Sequence, residues 1–155
     1  MSSWTIDPDT IMRMVAAVLA GGAIGFNRDI HGKPTGIRAH ALVSLGAAIL
    51  VVAATGPHMA GPTHDAMSRV IQGIIAGIGF LGAGVILRGD KGTQVYHLVT
   101  AASLWVTTGI GVLCGLGDYL VALSATALVL LVLVVGLKVD RWLYGKAGIK
   151  DDDRA

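Results

Sequence analysis

A chain with one cysteine closes no disulfide within itself, and Cys114 has no second thiol for a C-x-x-C redox or zinc pattern. Charge is also scarce. Asp, Glu, Lys and Arg make up 14% of the 155 residues, against about a quarter in soluble domains. The formal net charge of +2, spread between apolar runs, is too small for a nucleic-acid-binding surface. Carboxylates are missing from every long apolar run. That excludes an acidic Mg²⁺ cage and a carboxylate proton relay within those runs. No Ser/His/Asp or paired-carboxylate arrangement stands out, so neither enzyme chemistry nor a cofactor is expected, and no metal site is assigned.

What is present is apolar. Hydrophobic residues make up 54% of the chain, and mean hydropathy is +0.69. The 22 glycines are interleaved with Val, Ile, Leu and Ala rather than with Ser or Pro. Small residues in that setting let membrane helices approach closely. Five runs approach the roughly 20 residues that a helix needs to cross about 30 Å of hydrocarbon. They cover 11–26, 39–55, 70–87, 98–116 and 119–137. The predicted fold class is therefore all-α, a polytopic membrane bundle of five transmembrane helices surrounded by lipid. Its division is an outer segment 1–10, a membrane domain 11–138 and a short inner tail 139–155. The segment before the first run carries Asp7 and Asp9. That is the wrong sign for a signal peptide, so the first run is expected to stay.

Orientation follows from the basic residues. With five crossings, Arg13 and Arg69 fall on one side and the other ten Lys and Arg on the opposite side. The positive-inside rule then predicts the N-terminus outside and the C-terminus in the cytoplasm.

Residues 77–84 read "GIGFLGAG", and the first six fit G-x-G-x-x-G. A dinucleotide loop follows a strand and meets an acidic residue about 20 positions later. Here the glycines lie inside an apolar run, and 97–108 contain no Asp or Glu. A packing surface is the better reading. Gly73, Gly77 and Gly84 share one helical face, and Gly79 and Gly82 make a second strip. Matching small surfaces lie at "GGAIG", 21–25, and "GIGVLCGLG", 109–117.

Ionisable groups at membrane depth are costly and mark candidates for function. The densest group is "NRDIHGKPTGIRAH", 27–40, with Arg28, Asp29, Arg38 and His40. Asp29 is placed to bridge Arg28 and Arg38, although basic anchors at helix ends are routine. On the outer side, Arg69 and Asp118 open the third and fifth spans and are a candidate pair. His58, His64 and Asp65 share "GPHMAGPTHDAM", which reads as a turn before it reads as a divalent-ion site. Any Mg²⁺ path would use backbone carbonyls, Thr100, Ser103, Thr107, Thr108 and water.

Three segments in order, "GAIGFNRDIHGKPTGIRAHALVSLGAA", "RVIQGIIAGIGFLGAGVIL" and "TAASLWVTTGIGVLCGLG", resemble the MgtC/SapB family of bacterial inner-membrane proteins. The resemblance covers about residues 15–130. It implies a five-helix hydrophobic domain in the plasma membrane, with segment 1–10 in the periplasm. It also implies a link to survival in low Mg²⁺ and, in pathogens, to growth inside host cells. Family patterns map onto Gly25 and Arg28, onto Gly36, Arg38 and His40, and onto Arg69. The glycine series maps onto Gly77, Gly79, Gly82 and Gly84, and the fourth-span motif onto Thr100, Ala101, Ala102 and Trp105. Asn27 stands where many members carry an acidic residue, and Val99 where Asn or Thr is common. Several members continue into a soluble regulatory domain, whose sensing role is not expected of a chain ending at 155.

The expected function is adaptor-like: the bundle docks on another membrane protein, or on itself as a homo-oligomer, and alters activity. A transporter or channel for Mg²⁺ or another cation is the alternative, with direct Mg²⁺ contact left open.

Overall fold

The computed structural model describes residues 7–55, 64–86 and 97–147, and these hold five α-helices and no strand. They are α1 (Pro8–Ile30), α2 (Ile37–Thr55), α3 (His64–Ile86), α4 (Leu98–Leu116) and α5 (Tyr119–Ala147). Each is long and apolar enough to cross a membrane.

Local chemistry sets the ends. Asp7 caps α1 by accepting from the Asp9 N–H at 3.2 Å, with Pro8 in the first turn. There the missing proline N–H costs nothing. Gly32, at φ +61°, turns the chain after α1, and the Lys33 N–H reaches back to the Arg28 carbonyl at 3.0 Å. The left-handed conformation favours glycine at that point. Asp29 then caps α2, its Oδ2 accepting from the Ile37 N–H at 2.9 Å. Gly117, at φ +86°, ends α4, and its N–H donates to the Cys114 carbonyl at 3.0 Å.

Two helices outrun the apolar signal. Helix α3 begins at His64, six residues before the third apolar run, and α5 continues to Ala147, past the apolar limit at 137. Hydropathy reports where lipid ends, whereas a helix continues until capping or proline stops it.

Helix α4 is the centre. It packs against all four other helices and is the most buried of the five. Helices α1 and α2 form a tight pair against it, α5 covers α1 and α4, and α3 lies against α2 and α4. One apolar cluster joins α1, α2, α4 and α5 through Ala17, Ile24, Ala48, Ile110, Cys114 and Ala122. A second joins α2, α3 and α4 through Ala47, Val51, Ile74 and Val112.

The close approach of α1, α2 and α4 requires glycine at four positions. A methyl on Gly21 would lie 2.5 Å from the His40 carbonyl oxygen, and one on Gly25 would lie 2.6 Å from Ile37 Cα. A methyl on Gly111 would run into the Ser44 backbone, and one on Gly115 would lie 2.8 Å from Val51 Cβ. Both small surfaces expected at 21–25 and 109–117 are thus used, and both meet α2.

The glycines of α3 correct the sequence expectation. A methyl on Gly73, Gly77, Gly79 or Gly84 would touch nothing within 4 Å, and one on Gly82 would reach only Ala101 Cβ, at 3.7 Å. They do not build the tight core of this chain. Ile74 and Ile78 carry the α3 contact and are buried. Gly73 and Gly77 each precede one of them, so they sit about 100° round the helix.

Candidate functional site

Buried polar side chains gather between α1, α2 and α4. Arg28 is 5% exposed near the end of α1, and His40 is fully buried in the first turn of α2. Facing them on α4 are Thr100, Ser103 and Thr107, all buried. Their spacing of three and four residues puts the hydroxyls on one helical face.

The hydrogen bonds tie this cluster across the helices. Arg28 Nη2 donates to the Thr100 hydroxyl. His40 Nδ1 bonds to the Gly36 carbonyl at 3.1 Å, and its Nε2 to Ser103 Oγ at 3.1 Å. A carbonyl only accepts, so Nδ1 carries a proton and donates to Gly36. Ser103 Oγ donates to the Thr100 carbonyl at 2.8 Å, and Thr107 Oγ1 to the Ser103 carbonyl at 2.7 Å. Among the described residues, the buried atoms Arg28 Nε and Ser44 Oγ have no hydrogen-bond partner. Such atoms are rare and call for an explanation.

Of the four residues expected at the α1–α2 connection, the structure brings two into this cluster, Arg28 and His40. The other two do different work. Asp29 caps α2, and Arg38 is exposed. Asp29 does not bridge the arginines, because the only ion pairs among the described residues are Arg13–Asp9 and Arg69–Asp65. Gly36 explains part of this: a methyl there would collide with the Asp29 carboxylate, which sits over the start of α2. Of the fourth-span pair, Thr100 lies in the cluster and Trp105 faces outward, 52% exposed.

The outer-side pair differs from expectation too. Arg69 meets Asp65, one turn earlier on α3, at 2.6 Å rather than Asp118. A neighbour at i−4 on the same helix needs no tertiary contact. The loop reading of His64 and Asp65 gives way to the start of α3, and His58 lies outside the described residues.

A network that the sequence reading missed closes the opposite end. Arg13 pairs with Asp9 at 2.6 Å and donates to the Gly115 carbonyl at 2.9 Å, while the Tyr119 hydroxyl donates to Asp9 Oδ1 at 3.1 Å. It ties α1 to the end of α4 and the start of α5. The i, i+4 spacing of Asp9 and Arg13 was its only sequence signal. For Ser44 the signal was its place one turn after His40.

Five helices long and apolar enough to span a bilayer, closed round a buried polar cluster, define a multi-pass membrane protein in contact with lipid. The family model described as MgtC family matches residues 14–142, and the chain belongs to that family. It is similar to Protein MgtC of Salmonella typhimurium, 44% identical over 122 residues, covering 77% of this chain and 49% of that protein. It is also similar to Protein SrpB of Synechococcus elongatus, 38% identical over 130 residues, covering 78% and 71%. A protein of Escherichia coli named Putative magnesium transporter YhiD is 36% identical over 129 residues, covering 81% and 59%. The chain thus spans about half the length of the Salmonella relative. No solved structure matches it.

Proposed function

We propose that this chain is a bacterial inner-membrane protein serving adaptation to low Mg²⁺, and that it acts by docking on another membrane protein and regulating it. It does so without enzymatic chemistry of its own. In this reading residues 1–10 face the periplasm and 139–155 the cytoplasm, the orientation favoured by its ten basic residues on one side. Membership of the MgtC family and the magnesium-related name of a relative support the Mg²⁺ link.

The observation that carries the docking reading is the contrast between two sets of glycines. Gly21, Gly25, Gly111 and Gly115 are consumed by contacts within the chain, whereas Gly73, Gly77, Gly79 and Gly84 face open space. Gly46, Gly73 and Gly77 border a groove of about 350 Å³ between α2 and α3. A neighbouring transmembrane helix gains van der Waals contact against such a surface. Co-purification and crosslinking from membranes of cells grown in low Mg²⁺ test it. Gly77→Leu is expected to abolish the crosslinked partner while leaving the chain folded; an undiminished partner refutes docking on this face.

Transport of Mg²⁺ or another cation is the second reading, favoured by the name of the Escherichia coli relative. Against it stands the buried guanidinium of Arg28, which repels a divalent cation from the hydroxyls of α4. Purified protein in liposomes is expected to give Mg²⁺ flux no greater than empty vesicles over a range of membrane potentials. Flux above that level would replace the first reading by the second.

A further inference from the structure

We propose that His40 is a reversible proton-binding site, and that its charge state controls how tightly α1 and α2 hold together at the end of the bundle where they connect. The protons along one chain of contacts do not add up for a neutral ring. Four groups stand in line: the Gly36 carbonyl, the His40 ring, the Ser103 hydroxyl and the Thr100 carbonyl. Consecutive members are 3.1, 3.1 and 2.8 Å apart. Both ends are carbonyl oxygens, which only accept, so each of the three contacts needs a proton supplied from between them. A neutral imidazole carries one and the serine hydroxyl carries one. An imidazolium supplies the missing proton.

Two arrangements follow, and both fit the same heavy atoms. With the ring neutral, Nδ1–H donates to Gly36 and the Ser103 hydroxyl turns to Nε2. The Ser103 and Thr100 oxygens are then 2.8 Å apart with no proton between them. With a proton added from water, Nε2–H donates to Ser103 Oγ, and the hydroxyl proton swings to the Thr100 carbonyl. All three contacts are then hydrogen bonds. Only a hydroxyl rotates; no bond to Ser103 breaks, and the charge of the ring rises by one. The ring is held in place meanwhile, since His40 is fully buried and its backbone N–H also bonds to the Gly36 carbonyl, at 3.2 Å. His40 lies three residues after Ile37, where α2 begins, so the site is within one turn of the end of that helix.

What a proton does there depends on the charges facing the ring among the described residues. From α1 these are Arg28, which is buried, and Asp29, which caps α2. On α2 itself Arg38 is exposed. From α4 come hydroxyls, and 98–113 hold no titratable side chain. The titratable residues of α3 are His64, Asp65 and Arg69, in its first two turns, and that part of α3 packs beside the other end of α2. Protonation therefore puts a second positive charge near Arg28, while the facing carboxylate of Asp29 is already engaged. It does so where α1 and α2 run in backbone contact, because a methyl on Gly21 would lie 2.5 Å from the His40 carbonyl oxygen. Like charges across that contact push the helices apart, so acid loosens the α1–α2 pair and loss of the proton closes it. The inference does not depend on the docking reading.

Magic-angle-spinning NMR of the full chain, with isotopically labelled histidine in phosphatidylcholine bilayers, reads the proton on each ring nitrogen. The His40 signals are those that persist through His31→Gln, His58→Gln, His64→Gln and His97→Gln, made one at a time. Between about pH 8 and about pH 5, a window that brackets ordinary histidine, Nε2 is expected to pass from bare to protonated while Nδ1 keeps its proton. A bare Nε2 throughout the window, or a proton on Nε2 alone at its alkaline end, overturns the site. Ser103→Ala removes the acceptor for Nε2–H and is expected to abolish the charged form in that window, whereas Thr107→Val, one turn on, keeps it. An unchanged His40 in Ser103→Ala, or an equal loss in both variants, overturns the proton chain. Amide hydrogen exchange reads the consequence. Relative to α5, and corrected for the intrinsic effect of pH, opening of 21–28 and 37–44 is expected to rise about tenfold from the alkaline to the acid end. Equal opening at both ends, with Nε2 protonated at one of them, overturns the switch.

Discussion

Gly111→Ala is the most informative single change in this bundle. The added methyl would meet the Ser44 carbonyl oxygen and lie 2.8 Å from Ser44 Cα and 2.9 Å from its carbonyl carbon. Carbon atoms rest at about 3.5–4.0 Å, so α2 and α4 must part by roughly 1 Å. None of the three clashing atoms belongs to a side chain that could rotate away. Overpacking of that kind costs about 1–3 kcal/mol. Alanine returns about 1 kcal/mol of helix propensity. A gap of that size also forfeits a quarter to a half of the attraction between atoms that it separates. The His40 to Ser103 bond, 3.1 Å across the same interface, stretches as well. The balance is a net loss of about 1–3 kcal/mol. Reversible unfolding in mixed micelles, titrated with SDS and followed by tryptophan fluorescence, measures it. Gly77→Ala is the matched control, because its methyl would touch nothing within 4 Å. It should be neutral or gain up to about 1 kcal/mol. If Gly111→Ala equals the parent, or if both variants lose alike, the assignment of the α2–α4 seam is wrong.

The other predictions use the same unfolding assay. His40→Ala empties a fully buried ring position and removes its bonds to Gly36 and Ser103, so a loss of about 2–4 kcal/mol is expected; parental stability would refute its place in the core. Asp29→Ala removes the α2 cap and should cost about 1 kcal/mol. Gly36→Ala should cost more in the parent than in Asp29→Ala, because its methyl collides with that carboxylate; strict additivity in the double-mutant cycle would show the collision to be absent. Arg69→Ala breaks an exposed pair, 76% and 72% accessible, and should change stability by less than about 0.5 kcal/mol. Arg13→Ala loses the Asp9 pair and the Gly115 bond and should cost about 1–3 kcal/mol. Equal effects of the two would contradict the tertiary role of Arg13.

Much of the fold was legible because lipid imposes a simple rule. Every backbone polar group at membrane depth needs an internal partner, so each long apolar run becomes a helix. The run 98–116 coincides with α4, Leu98–Leu116, and the other four lie within or beside their helices. Part of the site was legible for a related reason. Arg28, His40 and Thr100 lie where apolar runs meet polar residues, and charge at that depth is uncommon enough to notice.

Partner choice was not legible. Gly73 and Gly77 have the same local spacing as Gly21 and Gly25, yet only the second pair is packed within the chain. Asp29 has two arginines near it in sequence and instead caps the next helix. Arg69 takes its own helix neighbour, whereas Arg13 reaches across to α4. A periodic pattern specifies which residues share a helix face, but says nothing of which helix that face meets. The sequence alone therefore determined how many helices there are, and that lipid surrounds them. Tertiary structure decided which glycines are consumed and that Arg28 meets Thr100, because lateral packing depends on the shapes of surfaces far apart along the chain.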